Sequence, residues 1–192
     1  MNLQFYDDYI PGTKLKKADM ENLSGLAFLK KVFFVSEGVM LTQIRDISGI
    51  DSSTLQNWTK RGWVTNAKLK KYSIDQVAHI LIINMLRSCM QLDHIAFLIE
   101  YINGDVEDTS DDIIKDSILY DYICRILNRI TEMGCCALES VSTVVEEITS
   151  DYVEPMEGAK HRLVRALEVI VITYYSALMK QKATKLLEAL GA

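Results

Sequence analysis

Apolar residues recur along most of this chain at intervals of three and four, the spacing that turns one face of a helix inward. Leu23, Leu26, Leu29, Val32 and Phe33 trace such a face between about residues 22 and 34, and Gly38 breaks it. Before it, Pro11–Gly12 marks a turn after an irregular leader. Two short helices are predicted next. The first starts from a cap at Thr42 and turns Ile44 and Ile47 inward; the second starts from a cap at Asp51 and covers 52–60 with Leu55 and Trp58 inward. Gly49 lies between them, where a helix end often needs a left-handed residue. Trp58 shares the Leu55 face and reads as core rather than as a base-stacking residue.

Arg61–Gly62 closes the second helix, and 65–71 forms a basic loop. Ser73-Ile74-Asp75-Gln76 has the form of a capping box, opening a helix to about residue 89 with Ile74, Val77, Ala78, Leu81, Ile82 and Met85 at helical period. A further short helix over 92–101 ends at Asn103–Gly104. Downstream, Ser110 is the expected cap of a helix whose first turn holds Asp111 and Asp112 and whose inner face runs from Ile114 to Ile130. Gly134 kinks or ends it. A segment over 138–148 follows, then Pro155, then a long helix over 158–190. The middle of that last helix is apolar nearly all round, which calls for cover on several sides, and a second copy of the chain is a natural cover.

Composition sharpens this into an all-α fold. Of 192 residues 49% are hydrophobic, enough to fill a core, while two prolines and nine glycines are poor material for a turn-rich sandwich or barrel. Three regions follow: an N-terminal helical extension (1–40), a helix-turn-helix region (41–104), and a helical region for dimerisation and a possible effector (105–192). The net charge of −5 excludes a general nucleic-acid coat, but it is unevenly spread. Residues 41–73 carry six bases against Asp46 and Asp51, whereas 93–157 carry three against sixteen acids. Such asymmetry separates regions with different partners.

Chemistry of other kinds finds little footing. There is no GxSxG, no phosphate-cradling glycine loop and no HExxH, so an enzyme is not expected. His79, His94 and His161 stand apart without zinc-ligand spacing, and no metal or other cofactor is expected. The acids at 105, 107, 108, 111 and 112 lack the glycine and glutamate of a calcium loop. Cys89, Cys124, Cys135 and Cys136 form no CxxC, and the adjacent pair reads as small buried hydrophobes rather than as a sensor. The N-terminus has no basic segment followed by an apolar run, and no apolar run approaches a membrane span, so a cytoplasmic protein is expected.

Two short helices joined through glycine, followed by a basic loop, fit a helix-turn-helix with a wing. The stretch from residue 41 to 102 resembles the MerR-type winged helix-turn-helix in its Gly49–Ile50 turn, Thr54–Leu55 helix start, Arg61–Gly62 exit, basic wing and Tyr72–Ser73. Gln56, Asn57 and Trp58 depart from the arginine and tyrosine usual there, so base preference does not carry over. The run QNWTKRGWV, with KKYS and ILIINMLR, is more similar still to a bacterial family described only as a domain of unknown function, over about 15–185. That resemblance implies transcriptional regulation. The expected partners are double-stranded DNA and a second copy of the chain, with an unidentified small-molecule effector also conceivable near Tyr174, Tyr175 and the cysteines. Ser52, Ser53, Gln56, Asn57 and Lys60 would face DNA from the second helix. Arg61, Lys68, Lys70 and Lys71, together with Lys60, would hold phosphates. The alternative is a helical protein–protein adaptor that does not bind DNA.

Overall fold

The computed structural model describes residues 8–34, 37–105, 110, 112–133 and 138–191. These are mostly helical, with a single two-stranded ribbon. Helix α1 is Gly25–Val32 and strand β1 is Val39–Met40. Two short helices joined through Gly49 follow, α2 (Leu41–Ser48) and α3 (Ser52–Lys60), then β2 (Lys71–Tyr72), α4 (Ile74–Leu86) and α5 (Leu92–Asn103). Then come α6 (Asp116–Glu132), α7 (Leu138–Ile148) and α8 (Ala159–Ala189).

Helix α4 is the hub. Nine of its thirteen residues are buried, because it packs against α6 and α8 with α1, α2 and α5 around it. One continuous apolar core therefore runs from Ile10 in the leader, through Leu55 and Trp58 of α3, to Tyr174 and Tyr175 of α8.

The leader expected to be irregular is built into this core. Ile10 is fully buried, the Tyr120 hydroxyl donates to the Pro11 carbonyl at 2.7 Å, and Asn84 Nδ2 donates to the Gly12 carbonyl at 2.8 Å. Gly12 has φ +75°, and a Cβ there would lie 2.3 Å from the Leu81 carbonyl oxygen. Only glycine fits so close an approach.

Three other expectations are corrected. Helix α2 begins at Leu41 with Met40 as its cap, not Thr42: β1 holds Met40 extended against Lys71, and the Met40 N–H donates to Gln43 Oε1 at 2.8 Å. The strand pair itself, Val39 opposite Tyr72, was hidden behind the Gly38 break. Helix α6 begins at Asp116 after Lys115, not from a cap at Ser110. Asn103 explains the delay. Its side chain brackets Ile114, donating to the Ile114 carbonyl at 2.7 Å and accepting from the Ile114 N–H at 3.3 Å, which holds the approach in a non-helical path. Asp111, Gly134, Cys135 and Cys136 lie outside the described residues.

Candidate nucleic-acid interface

Helix α3 owes its position to local chemistry at both ends. At the start, the Asp51 carboxylate accepts from the Thr54 N–H at 2.8 Å, from the Thr54 hydroxyl at 2.7 Å and from the Ser53 hydroxyl. Led by the Ser53 bond, these hold the Asp51 carboxyl well below the usual carboxylate range. One first-turn N–H of α3, that of Thr54, thus already serves an anion of this chain. At the other end the chain turns at Gly62, φ +77°.

Leu55 and Trp58, each 1% exposed, pin one face of α3 to the core. The opposite face then carries Ser53, Gln56, Asn57 and Lys60, all exposed, with Ser52 half-buried beside them. Spacings of three, one and three put these four on one strip of helix surface. Arg61 is exposed at the exit, its guanidinium 5.1 Å from the centroid of the Trp63 ring.

The wing is a tight turn. Lys68 and Lys71 bridge each other, the Lys71 N–H donates to the Lys68 carbonyl at 2.9 Å, and Leu69 and Lys70 both have positive φ (51° and 63°). Two consecutive left-handed residues are the mark of a type I′ turn. Lys68, Lys70 and Lys71 are exposed around it, with Leu69 at the tip 96% exposed. From the tip, Lys71–Tyr72 returns to pair with β1, directly ahead of α2, so the basic turn and the α2–α3 pair share one frame. Gln76 fixes the other limb. Its Nε2 lies 2.7 Å from Thr65 Oγ1 and 3.1 Å from the Asn66 carbonyl, while its Oε1 accepts from the Ser73 N–H at 2.9 Å.

Two cations that sequence reasoning left without a role lie beside this surface. Lys14 comes to the α2–α3 turn, where its N–H donates to the Ile47 carbonyl at 2.9 Å and its Cδ is 3.7 Å from a Cβ built on Gly49. Arg87, past the end of α4, stacks its guanidinium 5.5 Å from the Trp58 ring centroid. Lys14 was invisible because the leader lacks periodicity; Arg87 was visible only as a charge just beyond a helix.

Behind the wing, a cavity of about 900 Å³ is lined by Lys68, Asp75, Asp112, Lys115 and Asp116, among others. A smaller one of about 280 Å³ lies between Trp63, Ile83, Leu92, Ile95 and Glu100. His79 touches both. Its Nδ1 is 2.9 Å from Asp116 Oδ2 and its Nε2 is 2.8 Å from the Trp63 carbonyl. Both partners accept, so both ring nitrogens donate and the buried imidazole is the charged form. Burial opposes that charge, but the Asp116 carboxylate outweighs it, with the Trp63 carbonyl and the more distant Asp112 adding to it, and the pKa is raised. This pair ties the exit of α3 to the start of α6.

Tyr174, Tyr175 and Cys124 line neither of these two cavities; all three are core, and burial pushes the Cys124 thiol up to about 12. Among the described residues, no His, Cys, Asp or Glu cluster could hold a metal, and no helix is long and apolar enough to cross a membrane.

Comparison with known proteins places this geometry in context. A family model described as "Domain of unknown function (DUF1836)" matches residues 25–123, from the start of α1 into α6. The chain is also similar to the "Uncharacterized protein YkrK" of Bacillus subtilis (strain 168), at 26% identity over 152 residues. That alignment covers 74% of this chain, which spans 64% of the relative's length. No solved structure matches.

Proposed function

The chain belongs to that family, and on that premise we propose, from the site itself, that the protein is a sequence-specific DNA-binding regulator of transcription acting as a homodimer. In this reading its fold around α2 and α3 is a MerR-like winged helix-turn-helix, with α3 entering the major groove. The observation that carries the reading is the exposed polar strip Ser53–Gln56–Asn57–Lys60, flanked by Arg61 on one side and by a wing bearing Lys68, Lys70 and Lys71. Gln56 and Asn57 have the paired donor and acceptor that suit an adenine edge, and Ser52 and Ser53 suit either base edges or backbone. Lys60, Arg61 and the three wing lysines would hold phosphates, with Lys14 and Arg87 at the margin. Half-sites read by two copies would supply the specificity that one short helix lacks.

Anisotropy titration against duplex DNA across salt concentrations tests the reading. Five cations per protomer give a log–log slope reaching about −4 to −5 per protomer, from roughly 0.9 per neutralised phosphate. Lys60→Ala with Arg61→Ala should weaken binding to all duplexes. Gln56→Ala with Asn57→Ala should instead erode the ratio of specific to random-sequence affinity, by about 1–3 kcal/mol per lost base contact. Binding that ignores salt and all four substitutions would reject the assignment.

One observation favours a second reading, the helical adaptor. A leucine 96% exposed at the wing tip offers an apolar contact that phosphates do not need. The adaptor predicts no affinity for duplex DNA even at low salt.

A further inference from the structure

The last third of α8 leaves the body of the protein. From Met179 to Gly191 every residue is exposed, yet the segment is not polar: Met179, Leu186, Leu187 and Leu190 are 47%, 57%, 56% and 85% exposed. Val169, Ile172, Ser176, Met179, Ala183, Leu186 and Leu190 follow one another at spacings of three and four, which confines them to an arc of roughly 100° on an α-helix. Val169 and Ile172, still within the body, are themselves 42% and 40% exposed. The stripe thus begins on the globular part and continues along the projecting tail without a break.

A second uncovered apolar strip lies on α5. Asp93, Phe97, Glu100 and Tyr101 share one helix face, with Phe97 66% and Tyr101 37% exposed and the two exposed carboxylates along one side of them. The tail bears the opposite charge, with exposed Lys182 and Lys185 on one flank of its stripe. Lengths match as well: from Met179 to the end of α8 at Ala189 is eleven residues against the twelve of α5, about 17 and 18 Å of helix at ~1.5 Å per residue.

The tail cannot reach α5 of its own chain. Arg162 Nη2 donates to the Ile102 carbonyl at 3.0 Å and Lys180 Nζ to the Ser88 carbonyl at 2.9 Å, so α5 runs antiparallel to the earlier part of α8. Beyond Lys180 the helix has already passed the start of α5 and runs away from Phe97 and Tyr101. Pairing of two tails is disfavoured too, since each carries Lys180, Lys182 and Lys185 against Glu188 alone.

We infer that two copies of the chain meet by reciprocal exchange of these surfaces: the 179–190 tail of each lies across α5 of the other, apolar stripe against Phe97 and Tyr101, and Lys182 and Lys185 beside Asp93 and Glu100. A two-fold axis makes the contact twice with one set of residues. The inference rests on the homodimeric part of the proposed function and needs no DNA.

Light scattering on the full-length protein, free of nucleic acid, tests it. The expected mass is twice 21.8 kDa. Lys182→Glu with Lys185→Glu should raise the dimer dissociation constant at least tenfold, and so should Asp93→Lys with Glu100→Lys; the combined variant should regain most of the loss. Leu186→Asp with Leu190→Asp should give a monomer whose circular dichroism matches the unaltered chain, because both leucines are exposed within one copy. A wild-type monomer at every concentration overturns the inference and the homodimer together. A dimer indifferent to both charge reversals overturns this surface and leaves the homodimer standing. Sensitivity to the tail reversal without sensitivity at α5 points to tail–tail pairing and also overturns it.

Discussion

His79 donates to a carboxylate and a carbonyl at once, and that arrangement has a pH signature. Folding raises its pKa above the ordinary 6.5. The stabilisation is therefore complete below about 6.5, and it is lost as pH rises through the higher folded value. Denaturant midpoints should fall as pH climbs above neutrality, and His79→Gln should flatten that limb; an unaltered slope in the variant would show that other groups cause it. Asp116→Asn removes the compensating charge and should destabilise by on the order of 3 kcal/mol. Two glycines give a second contrast at this scale. Gly12 and Gly49 both have positive φ, so alanine at either is strained by about 1–2 kcal/mol. At Gly12 the Cβ would also run into the Leu81 backbone at 2.3 Å, while at Gly49 it meets only a lysine methylene at 3.7 Å. Urea melts should rank Gly12→Ala well below Gly49→Ala in stability.

Among the elements, those whose signals are local were legible. The bounds of α3, its cap at Asp51, its outward strip and the capping box at Ser73 could be read from the chain, because each depends on residues within one helical turn. What could not be read depends on distant partners. The β1–β2 pair joins residues 31 and 33 positions apart, the leader is held by Tyr120 and Asn84, and α6 starts late because Asn103 reaches across to Ile114. The candidate interface follows the same division: its helix strip and wing lysines were visible, whereas Lys14 and Arg87 were delivered by tertiary structure. Gln76 shows how the wing depends on a neighbouring helix. Gln76→Ala removes both the capping bond and the contacts to Thr65 and Asn66, and should cost about 1–2 kcal/mol. Amide exchange should speed up across 65–72 while α6 keeps its protection; uniform acceleration would mean the residue supports the whole fold instead.

At the scale of the whole molecule, charge and core pull in different directions. Charge divides the chain into a basic stretch over 41–73 and an acidic one over 93–157, yet the apolar core crosses that division without interruption, from Ile10 through α3 and α4 to Tyr175. The region around α3 and the bundle should therefore respond to denaturant as one body. The two tryptophans make this measurable. Trp58 is sealed inside α3 and Trp63 follows at its exit, each with an arginine over its ring, and the sequence holds no others. Tryptophan emission, excited beyond the tyrosine band, thus reports from α3 and its exit alone, while far-ultraviolet dichroism is dominated by the other helices. The two transitions should superimpose, and an earlier loss of emission would mean that the core is divided after all. The same pair gives the protein a label-free optical sensor, one ring sealed behind the proposed DNA-facing strip and one at its exit, so under the proposed function a bound duplex would shift the light mainly through Trp63.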